Sequence, residues 1–172
     1  VESVEGAVVI CCVRDMTNHK QMEAVLRESE EKYRLLVENA SEVFYKVLTQ
    51  DDPLRGQVRF VSQKAHTITG HSPEEFIRDP ELWIQSVHPD DLPALAESTQ
   101  AILSSGAPGT REYRIRSKDG GYRWVEDRVV PLISLQNKVI GYQGVARDIT
   151  ERKQAESAFR ETQERLLRVA NA

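Results

Sequence analysis

"GYQGVARDITERKQAE", Gly141 to Glu156, holds the end of a strand and the start of a helix. Extended back to "KVIGYQGVARDI", its first half reads as a strand that closes a sheet. Gly141 and Gly144 stand where side chains would crowd a close neighbour. The helix that follows sets Ala155, Phe159, Thr162, Leu166 and Val169 at alternating spacings of four and three, the a/d pattern of a coiled coil. The phrase at the junction, "RDIT" (Arg147 to Thr150), has a counterpart near the start of the chain: "RDMT", Arg14 to Thr17.

Sliding the chain by 133 residues lays "RDMTNHKQMEAVLRESEEKYR" on "RDITERKQAESAFRETQERLL", and nine of the 21 pairs are identical. Average residue usage would give roughly one or two. "LLVENA" (Leu35 to Ala40) then resembles "LRVANA" (Leu167 to Ala172). An internal repeat of this kind points to a tandem array. The expectation is the last strand and Asp-x-Thr end of a preceding unit over residues 1–17 and a linker helix over 18–40. A whole unit over 41–150 and an exit helix over 151–172 then lead to a further unit. In the first copy Thr17 is suited to cap the helix, since its hydroxyl can accept from free first-turn amides. Met22, Leu26, Ser29, Tyr33, Leu36 and Ala40 continue as a second a/d stripe. Each stripe is shorter than a sustained heptad array. Two readings therefore stand: a parallel helix pair in a homodimer, with Leu26, Tyr33, Phe159 and Leu166 at the seam, or single helices packing on their own domain.

Between the copies, "EVFYKVLT" alternates, with Val43, Tyr45 and Val47 on one face, and "QVRFVS" is a second strand after the turn "DDPLRG". From Gln63 to Ser105 the chain becomes short helical pieces divided by "GHSPEEF", "RDPELW" and "HPDDLPAL". Ser72 precedes Pro73 as an N-cap before a first-turn proline. Ala94 to Leu103 reads as a longer helix. Three strands follow: "TREYRIRS", the Asp-Gly turn "SKDGG", then "YRWVEDRVVPLI" and the closing strand. Strands and helices segregated in this way indicate an α+β domain with an antiparallel sheet.

Composition narrows the function. A net charge of −4, with 40% apolar and 29% charged residues, gives no electrostatic case for nucleic acid or an anionic membrane surface. The local basic residues Arg111, Arg114, Arg116 and Lys118 read as a solvated face. The longest apolar run, "AVVICCV", is far short of the roughly 20 residues a bilayer needs. Adjacent Cys11 and Cys12 point to opposite faces of a strand and cannot close a loop, so they read as reduced residues of a cytoplasmic strand.

The order of elements, together with "TGHSPEEF" (Thr69 to Phe76), "VHPDDL" (Val87 to Leu92), "REYRIRSKDGGYRWVE" (Arg111 to Glu126) and "GYQGVARDITERKQAE", resembles a PAS domain with its PAC motif. The resemblance covers Ser41 to Thr150. It implies a five-stranded antiparallel sheet with helices across one face. It also implies a sensing or relay role in a multidomain signalling protein of the sensor histidine kinase or diguanylate cyclase type. In this family Asp-Ile-Thr marks the hand-over from the last strand to the exit helix, which explains why the phrase recurs.

The resemblance also raises cofactors. Haem-binding members of the best-known class carry a His on the long helix, and the corresponding helix here has none. Light-sensing members need an Asn-Cys-Arg-Phe phrase, which is absent, and their flavin-holding polar positions align with Ile115, Val125 and Ala146. Neither haem nor flavin is expected. No pair of His or Cys has zinc spacing, and no catalytic phrase occurs, so the segment is expected to be non-catalytic. His88 reads as part of a helix start, with Asp90 as its cap, and His66 and His71 as isolated, partly exposed residues. Trp83, Tyr113, Ile115, Val125 and Tyr142 are the candidate lining of a small-molecule pocket between sheet and helices; the alternative is that they simply fill a core. Two functions follow. One is a ligand-sensing module that resets its exit helix through Asp148, Ile149 and Thr150. The other is a ligand-free dimerisation spacer in the array.

Overall fold

In the structure, a computed structural model, residues 17–49 and 56–170 are described. The expected strand Val8–Val13, Cys11 and Cys12, and most of the "DDPLRG" turn lie outside the described residues, as do the side chains of residues 17–19 and 169–170. The chain divides into two units, Val1–Leu36 and Val37–Ala172. The first is represented by α1 (Thr17–Glu38). Its stripe is uncovered: Leu26 is 60% and Tyr33 67% exposed.

The second unit runs β1 (Val43–Leu48), β2 (Gln57–Val61), α2 (Lys64–Thr69), α3 (Pro73–Arg78), α4 (Leu82–Ser86), a 3-10 turn (Pro89–Asp91), α5 (Leu92–Ser105), β3 (Gly109–Arg116), β4 (Tyr122–Ile133), β5 (Val139–Asp148) and α6 (Thr150–Ala170). The five strands form one antiparallel sheet in the order β2-β1-β5-β4-β3. The alternation in the sequence fixes the faces. Val43 and Val47 on β1, Tyr113 and Ile115 on β3, Val125 and Val129 on β4 and Ala146 on β5 are buried. The core forms where they meet Ala65, Ile68, Phe76 and Leu95 from the helices. Each fully buried large apolar side chain in it contributes about 1.5–3 kcal/mol.

Local chemistry sets the connections. Ser72 holds the N-cap position of α3, and its N–H donates to Glu75 Oε2 at 2.7 Å. Helix α5 continues two residues past the expected end, to Ser105, because Gly106 supplies the left-handed C-cap (φ 67°). The "VHPDDL" segment closes the free edge of β3: Val87 bridges Ile115, and the His88 N–H donates to the Arg114 carbonyl at 2.9 Å. Asp90 is not the cap. His88 Nδ1 accepts the Asp90 N–H at 3.2 Å, which leaves Asp91 to hold the Arg114 backbone N–H (2.8 Å) and guanidinium (3.0 and 2.6 Å). That arrangement pulls the Asp91 carboxyl below its ordinary range. His71 is not isolated either; its Nδ1 lies 3.3 Å from Glu75, and its ring meets Phe76 edge-on.

Glu75 also ties α3 to the β3–β4 turn, because Lys118 Nζ reaches both of its oxygens at 2.8 and 3.0 Å. That ammonium, with the Ser72 N–H, draws the Glu75 pKa down from 4.5 to about 2. A carboxylate depressed by folding stabilises the protein above its unfolded pKa, and this contribution fades as pH falls toward the folded value. Urea midpoints should therefore drop between about pH 5 and pH 2, and Glu75→Gln should show a shallower drop. Parallel profiles for the two proteins would remove Glu75 from the acid transition.

Candidate functional site

Arg111 shares the parity of Tyr113 and Ile115, so it points into the domain and does not join a solvated face. Its register partner is Asp127 on β4, which is 1% exposed. Arg111 Nε donates to Asp127 Oδ2 at 3.1 Å, and Nη2 lies 3.0 Å from the same oxygen. The Tyr45 hydroxyl donates to Oδ1 at 2.8 Å, and the Tyr113 hydroxyl to Oδ2 at 3.3 Å. Trp83 Nε1 donates to the Tyr113 oxygen at 2.9 Å. Arg111 Nη1 reaches the Thr99 hydroxyl and, at 3.4 Å, the Leu95 carbonyl on α5. Four elements of secondary structure are thus tied to one carboxylate.

Glycine makes this possible. Gly144 lies between Tyr45 on β1 and Val129 on β4. A Cβ there would run into the Tyr45 phenol and stand 2.8 Å from the Arg128 carbonyl. Without it, the Tyr45 ring crosses β5 and reaches Asp127. Gly141 is likewise pressed against β1, where a Cβ would meet the Val47 carbonyl and, at 2.9 Å, the Leu48 Cα.

Burial pushes Tyr45 and Tyr113 well above the usual phenol range, and the Asp127 charge adds to it, so both remain hydrogen-bond donors. Burial also raises the Asp127 carboxyl, while Arg111 and the phenols pull it back. Burial works against the Arg111 cation, but Asp127, together with the Tyr113 and Tyr45 phenols, more than offsets this and holds the guanidinium above its ordinary value. With donors on both carboxylate oxygens, the cluster is a neutral pair of opposite charges.

A cavity of about 60 Å³ opens beside this cluster, between the sheet and α3–α5. It has room for a few water molecules. Of the expected lining residues, Trp83, Tyr113 and Tyr142 stand on its wall, with Arg111, Asp127, Tyr45 and Thr99 as further polar groups. Val47, Val58, Val61, Phe76, Ile84 and Leu95 supply apolar surface. Ile115 and Val125 do not line it. Both are 0% exposed and belong to the packed core with Val87 and Ala146. Alternation places a residue on the inner face but does not say how far along the strand the open space lies. Among the described residues no cluster of His, Cys, Asp and Glu could hold a metal ion.

The opposite face of the same strands meets α6. Glu112 and Glu126 are register partners one residue along from Arg111 and Asp127. Glu112 binds Arg152 Nη2 and Lys153 Nζ, each at 2.6 Å, which lowers its carboxyl. Lys153 and Arg114 lie over the Trp124 ring at 5.1 and 5.4 Å. At the junction, Asp148 Oδ1 accepts the Thr150 N–H (2.9 Å) and hydroxyl (2.5 Å). The Thr150 oxygen accepts the Trp124 N–H at 3.0 Å, and the Ile149 N–H donates to the Trp124 carbonyl at 2.9 Å. The first turn of α6 is thereby fastened to β4. Farther on, Phe159 (66%) and Leu166 (65%) are exposed.

Residues 58–146, just over half of the chain, match the family described as the PAS fold. The chain belongs to the PAS family. PAS domains are in general non-catalytic sensory modules. This one is 26% identical to a sensory box histidine kinase/response regulator from Burkholderia thailandensis, with a TM-score of 0.61 over 80% of this chain and 98% of that one. It shares its fold with the N-terminal domain of a diguanylate cyclase with PAS/PAC sensor from Marinobacter aquaeolei (18% identity, TM-score 0.56, 65% of this chain and 98% of that one). It is 29% identical over 146 residues to a peroxide stress-activated histidine kinase of Schizosaccharomyces pombe, covering 85% of this chain and 8% of the kinase. The PAS chain spans less than a fifth of the length of the curated relatives it matches. No helix among the described residues is long and apolar enough to cross a membrane.

Proposed function

We propose that this PAS domain is a ligand-responsive relay: occupancy of the cavity beside Asp127 alters the β3–β4 pair, and that pair repositions the start of α6. One observation carries the reading. Arg111 and Asp127 face the cavity, while their neighbours Glu112 and Glu126 face the first turn of α6. Adjacent residues in a strand point to opposite faces, so a shift that serves one pair is felt by the other. Asp148 and Thr150 complete the coupling by anchoring the helix start. A ligand acts on the helix to the extent that it binds the two arrangements with different affinity.

In this reading the domain spans residues 41–150, flanked by the end of a preceding unit (1–17) and by linker helices (18–40 and 151–172). It works in a cytoplasmic sensor histidine kinase or diguanylate cyclase type of protein, whose output domain receives the state of α6. Asp148→Ala should cost the first turn about 1 kcal/mol. Amide exchange of residues 150–153 should then rise about fivefold, and parent output should change. If exchange and output both stayed at the parental level, the relay through this junction would be abandoned.

The exposed stripes support a second reading, a ligand-free dimerisation spacer. Leu26 and Tyr33 on α1, and Phe159 and Leu166 on α6, each pair in that case with the same helix of a second copy.

A further inference from the structure

Tyr142 stands apart from the other aromatic residues of the cavity. Tyr45, Tyr113 and Trp83 all spend their polar atoms on the Asp127 cluster. The Tyr142 ring meets Tyr45 edge-on at 6.2 Å, but among the described residues its hydroxyl has no hydrogen-bond partner, although it lines the cavity. Burial raises its pKa, so it stands as a donor. Arg111 offers a second vacancy. Its Nε donates to Asp127 and its Nη1 to Thr99 and Leu95, while Nη2 carries two N–H groups and has one acceptor near it, Asp127 Oδ2 at 3.0 Å. Two donors thus border an apolar space whose existing charges already balance.

We propose that the cavity selects a small neutral carbonyl compound, its oxygen accepting from Tyr142 and Arg111 and its short hydrocarbon body lying against Val47, Val58 and Leu95. Charge argues for neutrality. An anion would bring a second negative group beside buried Asp127, and a cation would face the Arg111 guanidinium; either leaves an uncompensated charge out of water. Size argues for a few heavy atoms, given a space of about 60 Å³. The inference rests on the ligand-responsive reading and adds the chemical class.

The test uses three probes of nearly equal shape: butanone, propionate and sec-butylamine, titrated into the chain and followed by two-dimensional amide NMR. Butanone should shift resonances of β1, β3 and β5, which carry Val47, Arg111 and Tyr142, with little response to the other two. Tyr142→Phe should weaken butanone about fivefold, the worth of one hydrogen bond. The same variant should leave the unliganded melting temperature unchanged, because the lost hydroxyl has no protein partner. Propionate or sec-butylamine binding as tightly as butanone would overturn the neutral class and leave ligand response standing. Unchanged butanone affinity in Tyr142→Phe would overturn the role of Tyr142. No shift with any probe would overturn both this inference and the ligand-responsive reading, in favour of the spacer.

Discussion

Asp127→Ala should lower the unfolding free energy by about 3–5 kcal/mol, the cost of leaving one member of a buried ion pair behind. The loss is not confined to Arg111. Tyr45 and Tyr113 lose their acceptor, and Trp83 is left attached to a phenol with nothing to donate to. For a domain of this size the melting temperature should fall by roughly 10–20 °C. Arg111→Ala should be comparably severe, since it strands the carboxylate. Changing both partners, Arg111→Met with Asp127→Leu, should recover the part of the loss that comes from the stranded guanidinium, but not the part from Tyr45 and Tyr113, which still lack an acceptor. Urea unfolding of the three variants tests the pattern. A loss below about 1 kcal/mol for Asp127→Ala would mean that water, and not the protein, satisfies Arg111.

Leu26→Glu and Phe159→Glu should each weaken self-association about a hundredfold or more, enough to leave monomers at micromolar concentration in light scattering. Both side chains are largely exposed in the single chain, at 60% and 66%. Each therefore has apolar surface to bury in a seam, and a glutamate on both sides of that seam adds like-charge repulsion. Their helices need no rescue, since glutamate is a good helix former and neither residue supports the core. Helical content by circular dichroism should stay level while mass halves. Dimers that persist in both variants would sink the seam, and with it the spacer reading.

The contrast between Arg111 and Arg114 shows what a sequence reader can miss. Both are arginines in one strand, and a count of basic residues makes them a solvated patch. Parity with Tyr113 and Ile115 was the available signal that Arg111 faces inward. Nothing local named its partner, which lies sixteen residues along on another strand. Tyr45 is farther still from Asp127, at a separation of 82, and reaches it only because Gly144 has no side chain. His88 illustrates the same limit on a small scale. The segment "HPDD" announced a helix start, but the imidazole and not Asp90 caps it, and the partner of Asp91 is Arg114 on a distant strand.

The sequence by itself determined the order of elements, the α+β class, the PAS resemblance and the strand-to-helix junction at Asp148–Thr150. All of these follow from periodicity, turn residues and short motifs, which act within a few residues of one another. The tertiary structure alone decided where the open space lies, which side chains border it, and that Ile115 and Val125 are spent on packing. Those outcomes depend on register between strands and on the volume left where sheet and helices meet. A residue's neighbours along the chain carry no record of either.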